Sequence, residues 1–214
     1  MTYAVAVRAL CEFTARAGDL DLRFTPAPSG LEGMAGHTAG TSRRGPGYET
    51  EVAQAGQYES LLVRDRADGC DPVANQIEEI KTYRGRLDSV RDNHRAAHWA
   101  QARVYAHLLC VARGLAEVRV ALVYFNVATE EETVLSESRD AAWLAAFFHE
   151  QCDRFLAWSR TELAHRQARD AALERLAFPH GDFRSGQREL AVSVYRSARD
   201  GRRLVAAAPT GIGK

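Results

Sequence analysis

The sequence predicts an α/β protein with a central mixed sheet flanked by helices, and three stretches carry that prediction. Val118 to Val127 is a near-continuous apolar run rich in β-branched residues, the pattern of a strand buried on both faces. Asp92 to Arg113 has helical periodicity and is followed by Gly114, suited to the left-handed turn that ends helices. From about Ser138 a longer amphipathic helix spaces Leu144, Phe148, Cys152, Phe155 and Leu163 at roughly helical intervals. Strands interleaved with helices in this order imply one layered core.

The remaining elements follow in chain order. A short strand at Tyr3 to Val7 leads into a helix over Arg8 to Arg16, with Gly18 placed to end it. Thr25 to Gly47 is rich in Gly, Pro, Ser and Thr and reads as loop with at most a short helix. Two strands are predicted at Glu59 to Arg64 and Gln76 to Thr82, separated by the turn-rich Ala67 to Pro72. The acidic turn Thr129 to Glu132 folds the central strand back on Thr133 to Ser136. On the long helix, Trp143, Phe148 and Phe155 are expected in the core, and the densely charged Arg160 to Arg175 reads as a connecting rod. Phe178–Pro179 breaks that pattern, so two domains are expected, 1–176 and 177–214.

Composition narrows the function classes. A chain of 214 residues, 46% hydrophobic and 26% charged, suits a globular core with an appendage. Lys plus Arg and Asp plus Glu each number 28, so composition alone gives no help to a nucleic-acid role. A nuclease escapes that objection, because it needs acidic metal ligands at its centre and basic residues only along its groove. No window of about eighteen apolar residues exists to span a membrane. Met1 to Leu10 lacks a basic region before an apolar stretch, so no signal peptide is expected. The four cysteines form no Cys-x-x-Cys pair, which argues against zinc or an iron–sulfur cluster and for reduced thiols in a cytoplasmic protein.

The chemistry-bearing residues begin at Glu79–Ile80–Lys81. On a strand, Glu79 and Lys81 project from one face about seven ångströms apart, while Ile80 points into the core. A Glu that holds Mg2+ beside a Lys that positions water or phosphate is workable for phosphodiester hydrolysis. Asp68 ends the preceding strand, and a hairpin would bring it beside Glu79; Asp71 is the alternative. Gln101 and Tyr105 share a helical face with His94 and His98. The histidine pair has metal spacing but lacks the His-Glu-x-x-His pattern of zinc sites. His37 also reads as a loop histidine, and Tyr105 as core packing.

Taken in order, His37, Asp68, Glu79-x-Lys81 and Gln101-x-x-x-Tyr105 resemble the RecB-type branch of PD-(D/E)XK nucleases. The resemblance implies a restriction-endonuclease-like core. In it His37, Asp68, Glu79 and the Ile80 carbonyl hold Mg2+ or Mn2+, and Asp68, Glu79 and Lys81 are catalytic. Gln101 and Tyr105 would lie near DNA and the Lys. The chain departs from the family pattern at Asp65, where Gly often precedes Arg66, and in the Gly/Ser-rich stretch after His37.

A different chemistry closes the chain. Leu204 to Ala207 reads as a buried strand running into Ala208–Pro209–Thr210–Gly211–Ile212–Gly213–Lys214, a P-loop whose backbone amides and Lys meet phosphates. Upstream, Phe183–Arg184–Ser185–Gly186–Gln187 resembles the Q-motif, in which Gln reads adenine. Together these look like the opening of DinG/XPD-type superfamily 2 DNA helicases. That implies ATP binding by Gln187, Thr210, Gly211, Gly213 and Lys214, with any iron–sulfur cluster beyond this segment. The combined expectation is a DNA-repair nuclease fused to a helicase motor and acting on single-stranded or branched DNA. It includes no membrane and no obligate protein partner. The rival is a catalytically silent DNA-binding module that loads the motor.

Overall fold

A computed structural model describes residues 3–16, 27–177 and 181–210. Gly18, Phe178–Pro179 and Gly211 to Lys214 lie outside them. The chain divides into two compact units, Met1–Glu162 and Leu163–Lys214.

The first unit runs β1 (Tyr3–Val5), α1 (Val7–Thr14), α2 (Gly30–Ser42), β2 (Glu49–Tyr58), β3 (Leu61–Asp71), β4 (Gln76–Tyr83), α3 (Asp92–Arg113), β5 (Glu117–Asn126) and β6 (Glu132–Asp140). Helix α4 (Ala141–Glu174) follows, with residues 141–162 in this unit. The sheet is mixed, as expected: β1–β3 and β4–β5 are parallel, while β2–β3, β3–β4 and β5–β6 are antiparallel. Strand β2 takes one edge of β3 along its length, so β1 and β4 share the other edge at opposite ends.

Two cores cover the two faces. The larger packs β1, β3, β5 and the start of β4 against α1, α3 and α4, with Leu10, Val63, Ile77, Leu108 and Phe148 fully buried or nearly so. The smaller joins Ile80, Val123 and Phe125 to Ala39 of α2. Helix α3 forms over the predicted span and ends at Gly114 with φ 64°. Asp140 starts α4 by accepting the Trp143 N–H at 2.7 Å.

Several expectations are corrected. The Gly-rich stretch taken as loop contains the thirteen-residue α2, begun by a capping box between Ser29 and Glu32. Its glycines are a contact surface: a Cβ on Gly36 would lie 2.8 Å from Thr82 Cγ2, so glycine lets the helix rest on the sheet. Ala67 to Asp71 belongs to β3, and the turn falls at residues 72–75, where Asp71 Oδ1 accepts the Val73 and Ala74 N–H groups. Strand β2 was not foreseen. Trp143 is 37% exposed instead of buried; it stacks on Phe147, and the Arg139 guanidinium lies 4.5 Å from its ring centroid. Burial along α4 stops at Leu156, and Leu163 is exposed.

The second unit contains α5 (Gln187–Arg199), which has no buried residue. Leu204 to Ala207 is not a strand, and Val205 is 98% exposed. The reason is pairing: among the described residues this unit has no other strand to complete a ladder.

His107 of α3 makes stability depend on pH. It is buried and stacks on Phe148 at 4.5 Å, and burial, then His149, lowers its pKa to about 4. The unfolded chain binds this proton near pH 6.5 and the folded chain does not. Stability is therefore full above that pH and is lost as pH falls toward 4. Urea denaturation should show a loss from this residue of about 1–2 kcal/mol between pH 7 and pH 5. His107→Phe should flatten that slope; an unchanged slope would assign the effect elsewhere.

Candidate active site

The site forms where β3 and β4 part. Their ladder has three rungs, Asp71–Gln76, Cys70–Ile77 and Gly69–Glu78, and then the strands separate. Past the last rung, Asp68 Oδ2 accepts the Ile80 N–H at 2.6 Å, replacing a backbone rung with a side chain. The N–H and C=O of a strand residue point to the same side, so the Ile80 carbonyl also faces this gap.

Alternation on β4 sorts its side chains as expected. Ile77 lies in the larger core and Ile80 in the smaller one, which puts Glu79 and Lys81 on the α1/α3 face. Glu79 is buried, and its Oε1 lies 2.5 Å from Lys81 Nζ. On β3 the alternation is broken: Ala67 and Cys70, three apart, both enter the larger core. Asp68 sits at that break. Across from it Glu51 has φ 51°, between the regular rungs Thr50–Gly69 and Val52–Ala67. A non-glycine residue in the left-handed region costs roughly 1–2 kcal/mol.

Helix α2 brings His37 over the gap, with Nδ1 3.6 Å from Asp68 Oδ1. Burial lowers the His37 pKa, so the imidazole is held neutral. Burial and then the Glu79 charge push the Asp68 carboxyl well above the ordinary carboxylate range. His37 lines two hollows. One, of about 340 Å3, includes Lys81, Thr82, His94, His98 and Gln101 with Arg8, Glu12 and Arg16 of the N-terminal segment. The other, of about 450 Å3, includes Asp68 and Glu51.

Gln101 is 3% exposed, and its Oε1 has no hydrogen-bond partner among the described residues. Tyr105 lies deeper, in the larger core; burial, then the negative charges of Glu79, Asp65 and Asp68, raise its pKa. His98 Nδ1 is 3.0 Å from the Tyr124 hydroxyl, and burial followed by Lys81 lowers its pKa to about 3. Asp71 is occupied by the turn. Gln187 begins α5 in the other unit, where its Oε1 accepts the Arg184 N–H at 3.0 Å, and Thr210 is exposed. Gly211, Gly213 and Lys214 lie outside the described residues.

The donor set suits a hard divalent cation: two carboxylates, a backbone carbonyl and a neutral imidazole. Among the described residues no three His, Cys, Asp or Glu side chains stand in ligating geometry. Asp68 is turned to the Ile80 N–H and Glu79 to Lys81. Sequence reasoning did not find Glu51, because β2 carried no clear strand signal, nor Arg8, Glu12 and Arg16, which read as an ordinary charged helix face.

No family model and no curated protein matches the chain. Among solved structures, an alkaline exonuclease (LHK-Exo) from Laribacter hongkongensis is 13% identical with a TM-score of 0.47, over 79% of this chain and 94% of that one. The protein SSO0001 is 19% identical with a TM-score of 0.42, over 70% of this chain and 75% of that one. Likenesses of this degree leave the assignment to the chain's own residues.

The raised Asp68 carboxyl yields a stability prediction. Asp68→Asn keeps an acceptor for the Ile80 N–H and removes a charge facing Glu79. In EDTA at pH 8 this variant should be more stable than wild type by about 1 kcal/mol. The gain should vanish at pH 4, where Asp68 is already protonated in the folded state. A loss of stability at pH 8 would show that Asp68 is not strained by its charge.

Proposed function

We propose that the first unit is a divalent-metal-dependent DNA nuclease domain of the PD-(D/E)XK type. The parting of β3 and β4 supports this reading, because past the last rung Asp68 caps the Ile80 N–H next to Glu79, whose Oε1 meets Lys81 Nζ. Asp68, Glu79, the Ile80 carbonyl and His37 would hold Mg2+ or Mn2+. A bound cation supplies Lewis-acid stabilisation of the scissile phosphate and lowers the pKa of water.

The chain's own groups do the rest. Glu79 Oε1 lies 2.5 Å from Lys81 Nζ, so the ammonium sits beside a carboxylate that would hold the cation and would serve to orient the phosphate or the attacking water. Gln101 lines the hollow that also contains Lys81, and Arg8 and Arg16 give that hollow a cationic rim for the backbone of single-stranded or branched DNA. Tyr105 supports this wall from beneath.

Metal titration with DNA cleavage tests the assignment. Mg2+ or Mn2+ should raise the melting temperature, and Asp68→Ala or Glu79→Ala should erase that rise. Cleavage should require the cation and be lost in Lys81→Ala while the metal-induced stabilisation survives. Equal metal responses in wild type and Glu79→Ala, with no cleavage by either, would favour a silent DNA-binding module. The close Glu79–Lys81 pair is the observation on that side.

We further propose that Phe178 to Lys214 opens a DinG/XPD-type helicase motor acting in DNA repair, with Gln187 and the P-loop residues meeting ATP. The support is the sequence combination. Because Leu204 to Ala207 has no ladder to fix the loop that follows, this 214-residue chain should show no DNA-stimulated ATP hydrolysis. Turnover by the purified chain that disappears in Lys214→Ala would overturn that expectation.

A further inference from the structure

On the sheet face opposite Glu79, its neighbour Glu78 gathers three side-chain donors. Glu78 is 5% exposed. Its Oε2 accepts from Arg44 Nε at 2.8 Å and from the Tyr48 hydroxyl at 2.9 Å, and its Oε1 accepts from Gln76 Nε2 at 2.6 Å. Arg44 reaches on to Glu132 of β6 with Nη1 at 2.9 Å. The cluster ties the segment after α2, the β3–β4 hairpin and the edge strand β6 to one carboxylate.

Its position matters more than its size. Glu78 pairs with Gly69 in the last rung before β3 and β4 separate. Tyr48 lies directly on Gly69: a Cβ there would fall 1.8 Å from the Tyr48 hydroxyl oxygen. So the rung is held from above by a ring and from the side by a guanidinium, one residue from both Asp68 and Glu79. Arg44 follows α2 by two residues, and α2 carries His37. Burial, then the Glu78 charge, raise the Tyr48 pKa, so its hydroxyl remains a donor at any ordinary pH.

We infer that Arg44, Tyr48 and Glu78 form a positioning clamp that fixes where β3 and β4 diverge, and through it the spacing of Asp68, Glu79 and His37 as cation ligands. The clamp touches neither cation nor DNA. Arg44 also balances the Glu78 charge, which keeps a further negative charge from bearing on the site. This inference rests on the nuclease reading, deepening it from ligands to the device that spaces them.

The test is Mn2+ affinity, read by calorimetry on the whole chain, with folding checked by circular dichroism in EDTA. Arg44→Met and Tyr48→Phe should fold and bind Mn2+ at least fivefold more weakly, with Arg44→Lys recovering part of the loss. Tyr48→Phe removes a single hydroxyl, so it serves if Arg44→Met does not fold. Arg103→Met is the control: it breaks the part-buried ion pair of Arg103 with Glu137 of β6, 2.8 Å long and on the other sheet face from the clamp, and should leave Mn2+ affinity unchanged. Wild-type affinity in folded Arg44→Met and Tyr48→Phe, or an equal loss in Arg103→Met, would overturn the clamp. Asp68→Asn separates the two readings. If it leaves wild-type Mn2+ binding intact, the nuclease reading fails and the clamp with it. If it abolishes binding while the clamp variants bind normally, only the clamp fails.

Discussion

The structure of the first unit depends on a ladder that stops early. An antiparallel pair gains by continuing, because every added rung satisfies backbone groups that would otherwise need water. Strands β3 and β4 stop after three rungs, and the bond that would have come next is made by a carboxylate. That exchange uses Asp68 to complete the Ile80 N–H and leaves the neighbouring carbonyl on the same open side. A hairpin that zipped up fully would close that side of β4 and leave Asp68 no backbone N–H to accept.

What holds the strands apart is distributed over both faces of the sheet. On one, α1 and α3 fill the space below Glu79 and Lys81 with the larger core, reaching Tyr105 and Leu10. On the other, α2 presses Gly36 and Gly40 onto β4 and β5, and Arg44 and Tyr48 secure the last rung. Glu51 adds a local contribution in a conformation that non-glycine residues avoid, directly across from Asp68. Strain at that point fits a general pattern in which sparsely populated backbone conformations gather at sites where geometry is functional.

Legibility in the sequence followed the strength of periodicity. Helix α3 and strand β5 were readable almost to the residue because each has a long, uniform pattern and a clear stop, Gly114 in the first case. The same-face pairing of Glu79 and Lys81 was readable because alternation on one strand is a local rule. Helix α2 was not, because buried glycines give close packing in the folded state and a loop-like composition in the sequence. Asp68 was placed beside Glu79 for a partly mistaken reason: the turn lies four residues later than expected, and the break in alternation compensates. Leu204 to Ala207 has the composition of a buried strand, yet composition does not supply a neighbour to pair with.

Zero net charge, unhelpful for the whole chain, becomes intelligible at the level of the two faces. The α2 face turns Arg44 inward, onto Glu78 and Glu132. The α1/α3 face keeps Arg8 and Arg16 at the rim of a hollow whose floor is Lys81 and Gln101. Two carboxylates left close together raise the cost of keeping both ionised, which a divalent cation removes and a monovalent ammonium only half offsets. On this face too the charges are paired, Glu79 with Lys81 at 2.5 Å and Glu12 with Arg8 at 2.8 Å.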